Sequence, residues 1–327
     1  MTAYILRRLV WTIFVVLTVV FITFAVFFLL PAGDPAVRFA GKTPSPENLK
    51  LIRARMGFDD PWPVQFWHYI KNFVTGDQYG WPGLGYDWVY NQPVLPEIKA
   101  AFPRTICLII GAALIWVVVG VLIGVVSAVK RHTIWDRLAM GFALFGISAP
   151  VFWLGLMALW IFWFKWEQWF GWSVIGGTGY IPFSENPWEW GHHLLGPWVV
   201  LALLFAAFYA RVTRSNLLEA LGEDYIRTAR AKGLSERNVI FRHGLRASLT
   251  PIVTQFGLDI ALLVGGAVIT ETVFNLRGLG FQTVSAARNQ DLPLVIGVVL
   301  LASGAVAIMN LVVDVAYAFL DPRVRYS

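Results

Sequence analysis

Several long stretches of this chain carry no Asp, Glu, Lys or Arg. They run from Leu9 to Gly33, Thr105 to Val129, Leu138 to Phe164, Trp190 to Ala210 and Leu292 to Val313, each between 21 and 27 residues long. About 20 apolar residues wound into a helix cross a hydrocarbon core of roughly 30 Å, so each stretch predicts a membrane span. A sixth, Ala247 to Thr270, is interrupted only by Asp259. The pattern predicts an all-α integral membrane protein with six transmembrane helices. Arg7 and Arg8 ahead of the first stretch resemble the start of a secretory signal. The run that follows far exceeds the usual h-region of about 7 to 15 residues and lacks a small-x-small cleavage pattern, so the first span is expected to be retained.

The polar segments between the spans have patterns of their own. In Asp34 to Arg104, Ser45-Pro46-Glu47 reads as an N-cap, a proline at the first helical position and an early acid. Leu49, Ile52 and Met56 then recur at helical spacing until Gly57, and Val64, Trp67, Ile70 and Val74 repeat the pattern until Gly76. From Asp77 to Pro93 the Gly, Tyr and Trp content predicts a loop packed on the membrane surface. Lys165 to His193 holds Trp166, Trp169, Trp172, Trp188 and Trp190, which read as an interfacial belt ahead of a ligand cage. The organisation expected is an N-terminal transmembrane helix at 1–33, a region with short helices at 34–101, and a five-helix core at 102–327 with a polar loop at 211–250.

That loop is too polar to span, yet it is ordered in pattern. Leu217, Leu218, Leu221, Tyr225, Ile226 and Ala229 keep helical spacing through Lys232, where Gly233 stops the helix. Arg230 and Lys232 suit the negative end of the helix dipole, and glycine at C′ permits a left-handed residue. Ser235 and Glu236 predict a new helix leading through Arg242, His243 and Arg246 into the fifth span. A basic amphipathic element of this kind fits either anionic lipid or a cytoplasmic partner.

Composition agrees with a membrane protein. The chain is 57% hydrophobic and 14% charged, against about 25% charged in soluble domains, which excludes a soluble enzyme and a disordered chain. Segments on the side of the termini and of the 211–250 loop hold 15 basic and 6 acidic residues, and the rest of the chain 11 and 14. By the positive-inside rule both termini and the loop face the cytoplasm. The net charge of +6 is thereby explained without nucleic acid. One cysteine, Cys107, forms no intrachain disulfide; the five histidines show no metal-ligand spacing, and no phosphate-binding Walker A pattern occurs. No catalytic residue is assigned. Asp259 lies inside a span, where a carboxylate faces protein or water: it reads either as a pathway residue or as a hydrogen-bonding structural one. Glu271, Asn310 and Asp314 are candidate pathway residues on the same argument.

Tyr225-Ile226-Arg227-Thr228-Ala229-Arg230-Ala231-Lys232-Gly233-Leu234-Ser235, continuing to His243-Gly244-Leu245-Arg246, resembles the Glu-Ala-Ala cytoplasmic loop of permeases in binding-protein-dependent ABC importers, in its dipeptide, oligopeptide and nickel form. The resemblance extends over nearly the whole chain. It includes Leu29-Leu30-Pro31-Ala32-Gly33-Asp34-Pro35-Ala36, Pro150-Val151-Phe152-Trp153-Leu154-Gly155, Arg211-Val212-Thr213-Arg214-Ser215, Gly265 to Phe274 and Leu320-Asp321-Pro322-Arg323. Arg227, Thr228 and Ala229 stand at the general motif's Glu-Ala-Ala positions. The loop at Gly80 to Tyr90 looks longer than the family norm, and Gln290 stands where the family commonly has Arg.

The resemblance implies a type I importer permease in a prokaryotic cell membrane, with Asp224 to Gly233 seated in a groove of an ATPase subunit. It further implies a second homologous permease, two cytoplasmic ATPase subunits carrying ATP and Mg, and an external substrate-binding protein; this chain binds no cofactor. Peptides are the expected cargo, with nickel complexes and oligosaccharides as alternatives. An ion-coupled secondary transporter would need paired midplane ionisable groups and usually repeats, and neither is evident.

Overall fold

The computed structural model describes residues 2–30, 34, 36, 37, 45–87, 91–289 and 291–320. Gln290, the segment 321–327 and the side chain of Asp314 lie outside the described residues. The chain is mostly helical and divides into two compact units.

The first unit comprises residues 1–106, 261–268 and 277–311. Helix α1 (Thr2–Phe24) runs on into a π-helical turn at Ala25–Leu29. Helix α2 (Pro46–Met56) begins as its sequence predicts: the Ser45 side chain accepts from the Asn48 N–H at 3.2 Å, and Gly57 closes the helix at φ +65°. Helix α3 (Trp62–Thr75) ends at Gly76. The expected surface loop contains a two-residue hairpin, β1 (Tyr86–Asp87) on β2 (Gln92–Pro93), in the register Tyr86↔Pro93 and Asp87↔Gln92. Helix α4 (Val94–Val129) follows at once and runs unbroken through residues 101 and 102. Val94, Leu95 and Ile98 pack on Leu279 and Ala286 of α12 (Leu279–Asn289) and on Leu294 and Val298 of α13 (Leu292–Leu320). A second core joins Val20, Ile52, Ile296 and Leu300, with Phe28, Phe66 and Tyr69 against it.

The second unit comprises residues 107–260, 269–276 and 312–327. Helix α8 (Pro187–Gly222) contacts α4 closely, because a Cβ on Gly124 would lie 2.6 Å from the Ala210 carbonyl and one on Gly120 2.9 Å from that of Ala206. Three expectations need correction. The charge-free stretch Leu138 to Phe164 is not one straight helix: α5 (Ile134–Ser148) and α6 (Val151–Ala158) meet at a bend of 103°. Ala149 is extended ahead of Pro150, whose ring disfavours the α region for the residue before it. Helix α6 continues through a π-helical turn, Leu159–Lys165, into α7 (Trp166–Phe170). The periodic run from Leu217 to Lys232 is two helices, since Glu223 is extended at ψ 152° between α8 and α9 (Asp224–Ala231). The stretch Ala247 to Thr270 also divides: α10 (Arg246–Val264) stops before Gly266, which has φ +109°, and α11 (Val268–Val273) is separate.

Among the described residues, four helical stretches are long and apolar enough to cross a membrane: Val94–Val129, Pro187–Gly222, Glu236–Val264 and Leu292–Val312. The bent α5/α6 pair makes a fifth candidate, while Leu9–Phe24 is a shorter apolar stretch.

Candidate functional site

The segment following α8 is built around one glycine. Helix α9 places Ile226 and Ala229 three residues apart on one face, and both are buried with Val239, against Leu221. Its other faces are open. Asp224, Tyr225, Arg227, Thr228, Arg230, Ala231 and Lys232 are all exposed, with the Arg227 side chain 74% exposed. Partial burial, reinforced by the neighbouring Glu223 carboxylate, raises the Tyr225 phenol above its ordinary pKa, so it remains a neutral donor.

Gly233 ends α9 in a left-handed conformation at φ +75°, with no atom near the position a Cβ would occupy. Its N–H donates to Arg230 O at 2.9 Å, and Leu234 N–H donates to Ala229 O at 3.3 Å. This pair of bonds is the Schellman closure. Across the turn the Arg230 guanidinium grips Glu236, from Nε to Oε1 at 2.8 Å and from Nη2 to Oε2 at 3.4 Å. Ser235 takes the N-cap position of the next helical segment but makes no side-chain cap bond. That segment, Glu236–Asn238, passes through a π-helical turn at Val239–Leu245 directly into α10. The ten residues from Asp224 to Gly233 thus form one exposed element set between two long apolar helical stretches, set off from the first by extended Glu223 and from the second by the Gly233 turn.

A charged clamp lies two turns before the end of α8. Arg214 donates to Asp136 from Nε to Oδ1 at 2.8 Å and from Nη2 to Oδ2 at 3.0 Å. Ser127 Oγ donates to Oδ1, and His132 N–H donates to Oδ2 at 3.0 Å. The clamp joins the end of α4, the start of α5 and α8. Sequence inspection missed it, because Asp136 and Arg214 are 78 residues apart and nothing local pairs them.

Asp259 is 8% exposed and both its oxygens have partners: Tyr209 Oη donates to Oδ2 at 2.7 Å and Gln255 Nε2 to Oδ1 at 2.8 Å. Tyr209 belongs to an aromatic group in which Trp116 stacks on Phe205 at 4.6 Å. Glu271 is fully buried in α11, whereas Asn310 is exposed on α13. Of the tryptophans read as a belt, Trp169, Trp172 and Trp188 are exposed, while Trp190 turns onto Phe183 and Trp198. Among the described residues no three His, Cys, Asp or Glu side chains are grouped to hold a metal ion.

Known proteins resemble this chain along its length. A family model described as the inner membrane component of binding-protein-dependent transport systems matches residues 120–326, and one described as the N-terminal part of the membrane component matches residues 1–109. A putative peptide transport system permease protein of Brucella abortus is 40% identical over 327 residues, all of both chains. The dipeptide transport system permease protein of Alkalihalophilus pseudofirmus is 36% identical, and the glutathione transport system permease protein of Salmonella typhimurium 40%, again over 100% of each chain. A crystal structure of an amino acid ABC transporter with histidines aligns with a TM-score of 0.51 at 14% identity, covering 68% of this chain and 94% of that one, which is a likeness of fold. With two family matches spread over both ends of the chain and relatives alike along their full length, the protein belongs to the inner membrane components of binding-protein-dependent transport systems and is a multi-pass permease subunit of an ABC importer.

Proposed function

We propose that this subunit forms half of a peptide translocation pathway, paired with a second homologous permease, and that Asp224 to Gly233 is where two cytoplasmic ATPase subunits act on the pair. In this reading six helices span a prokaryotic inner membrane with both termini cytoplasmic. The α1 helix and its π-helical extension form the first span, and the α5/α6 pair acts as one bent span. The named relatives carry peptides, dipeptides and glutathione, which favours peptide cargo here. ATP and Mg bind the ATPase subunits, and an external binding protein delivers the cargo. Asp259, Glu271, Asn310 and Asp314 are proposed to border the pathway.

The observation that carries the coupling role is the shape of α9. A helix exposed on every face except the Ile226–Ala229 edge, and closed by a Schellman turn, can enter a groove while staying attached. Ile226 and Ala229 pack with Val239, so a push on α9 reaches the start of α10 as well as the end of α8. The Asp136–Arg214 clamp extends that rigid connection to α4 and α5. The chemistry of hydrolysis stays on the partner; this chain supplies a lever.

The test is cysteine cross-linking. Cys107 is replaced, Arg227→Cys is introduced on the exposed face, and membranes expressing all subunits are treated with a short bifunctional thiol reagent. A cross-link to an ATPase subunit, modulated by ATP, is expected. Uptake that proceeds without ATP, with no ATPase recovered alongside the chain, would overturn the reading.

A further inference from the structure

Within the first unit, the start of α4 and the start of α13 are packed without a gap. A Cβ on Gly297 of α13 would lie 2.9 Å from Val94 Cγ1 and 3.0 Å from Ile98 Cδ1. Leu84 ahead of the hairpin, Val94, Leu95 and Ile98 share one core with Leu294 and Val298, so the hairpin and the first turn of α4 are seated on α13. Asp291 stands immediately before α13 and caps it: Leu294 N–H donates to Oδ1 at 3.1 Å, while the Asp291 N–H donates to Ala286 O of α12 at 2.9 Å.

The contact is acidic. Asp87 from β1 and Glu97 from α4 both act on Asp291. Asp291 is 1% exposed, and its Oδ2 is enclosed without a hydrogen-bond donor. A carboxylate oxygen in that position is costly as an anion, and a proton removes the cost. Glu97 is half-buried and held beside the hairpin, its Oε2 accepting from Gln92 Nε2 at 3.1 Å. Lys99 on α4 and Arg288 in the last turn of α12 are both exposed, and α13 opens with no charged residue of its own. Burial, opposed by the Leu294 N–H and reinforced by the Asp87 and Glu97 carboxylates, moves the Asp291 carboxyl above the ordinary carboxylate range.

We propose that this contact is a proton-operated latch: one proton on Asp291 keeps the hairpin and the start of α4 docked on the start of α13, and its loss loosens them. The charge then formed has two carboxylates beside it and no donor at Oδ2. Both helices belong to stretches long and apolar enough to cross a membrane, so the latch links pH to the joined ends of two spans. It rests on packing inside the first unit and depends on neither the cargo nor the ATPase contact.

Amide exchange is followed by mass spectrometry on the purified assembly in detergent from pH 5 to 8.5, corrected for the intrinsic pH dependence of exchange. The opened contact releases Asp291 to its ordinary pKa, whereas the docked one holds its proton longer. Wild-type protection over 91–99 should therefore fall about tenfold per pH unit, the slope of one linked proton, and level off where docked Asp291 has itself ionised. Protection over 224–240, in the second unit, should not follow it. Asp291→Asn keeps an acceptor for the Leu294 N–H without the charge, so 91–99 should stay protected across the range. Glu97→Gln removes one like charge, and the fall should end at lower pH and be smaller, a change that a merely structural Glu97 would not produce. A flat wild-type profile, or the same fall in Asp291→Asn, would overturn the latch. Loss over 224–240 in step with 91–99 would do so too, since it would mark global unfolding. If Asp291→Asn does not fold, Glu97→Gln decides: a fall of unchanged extent overturns the proposal.

Discussion

Replacing Asp291 with Asn should remove most of the protein's loss of stability between acid and neutral pH. Asp87 on β1 and Asp291 ahead of α13 are both buried, at 0% and 1% exposure. The Asp87 carboxyl lies close enough to disfavour the charged form of Asp291, and Leu294 N–H donates to Asp291 Oδ1 at 3.1 Å. Asp291 therefore keeps its proton to higher pH than an exposed carboxyl does. Burial raises the Asp291 pKa well above the carboxylate range; the Leu294 N–H opposes the shift, and the Asp87 and Glu97 carboxylates reinforce it. Glu97 in turn accepts from Gln92 Nε2 at 3.1 Å.

The sign follows from proton counting. An unfolded Asp ionises near pH 4, whereas folded Asp291 keeps its proton to higher pH. The folded state binds more protons over that window, so stability is highest below the unfolded pKa and falls as pH rises toward the folded one. The slope is about 1.4 kcal/mol per pH unit, or ~3 kcal/mol over two units. Thermal melting followed by tryptophan fluorescence in detergent, from pH 4.5 to 7.5, should show the wild type losing several degrees. Asp291→Asn is neutral and its amide can donate to Asp87, so its melting temperature should be nearly flat and exceed wild type at pH 7.5. Parallel pH curves for the two proteins would refute the raised pKa of Asp291.

Gly233→Val should abolish uptake while the spans stay folded: no neighbour would be struck, but a β-branched residue at φ +75° costs about 1–3 kcal/mol. Uptake assays beside a thermal melt in detergent check both halves. Ile226→Ala empties a fully buried position and should destabilise the attachment of α9 by about 2–4 kcal/mol, read as faster amide exchange over 224–240. Asp136→Asn leaves Arg214 half-served; with the arginine side chain 25% exposed, the expected loss is about 1–3 kcal/mol in thermal stability. Reversing both charges together should recover part of it.

Several elements are legible because their causes are local. Ser45-Pro46 and Gly57 bracket α2 through bonds made within a few residues, and Gly233 closes α9 in the same way. The bend at Pro150 had a visible signal in the proline itself. The break at Glu223 had a weaker one: the apolar spacing continues from Leu217 to Ala229 and reads as one helix, yet Glu223 turns extended and its carbonyl accepts from Ile226 N–H and Arg227 N–H. Spacing records which face is buried; it does not record whether the backbone stays continuous between two buried faces.

Charge-free length, basic bias and the turn glycine were enough to indicate a membrane protein with a polar helical element closed by glycine, because lipid leaves the backbone little choice but helix and because caps act over a few residues. What tertiary structure alone decided is where the charges go. Asp259 finds Tyr209 from another helix, Asp136 finds Arg214 from 78 residues away, and Asp291 meets Asp87. A carboxylate's burial demands a partner, but its sequence neighbours do not name that partner; only the packing of helices brings the two together.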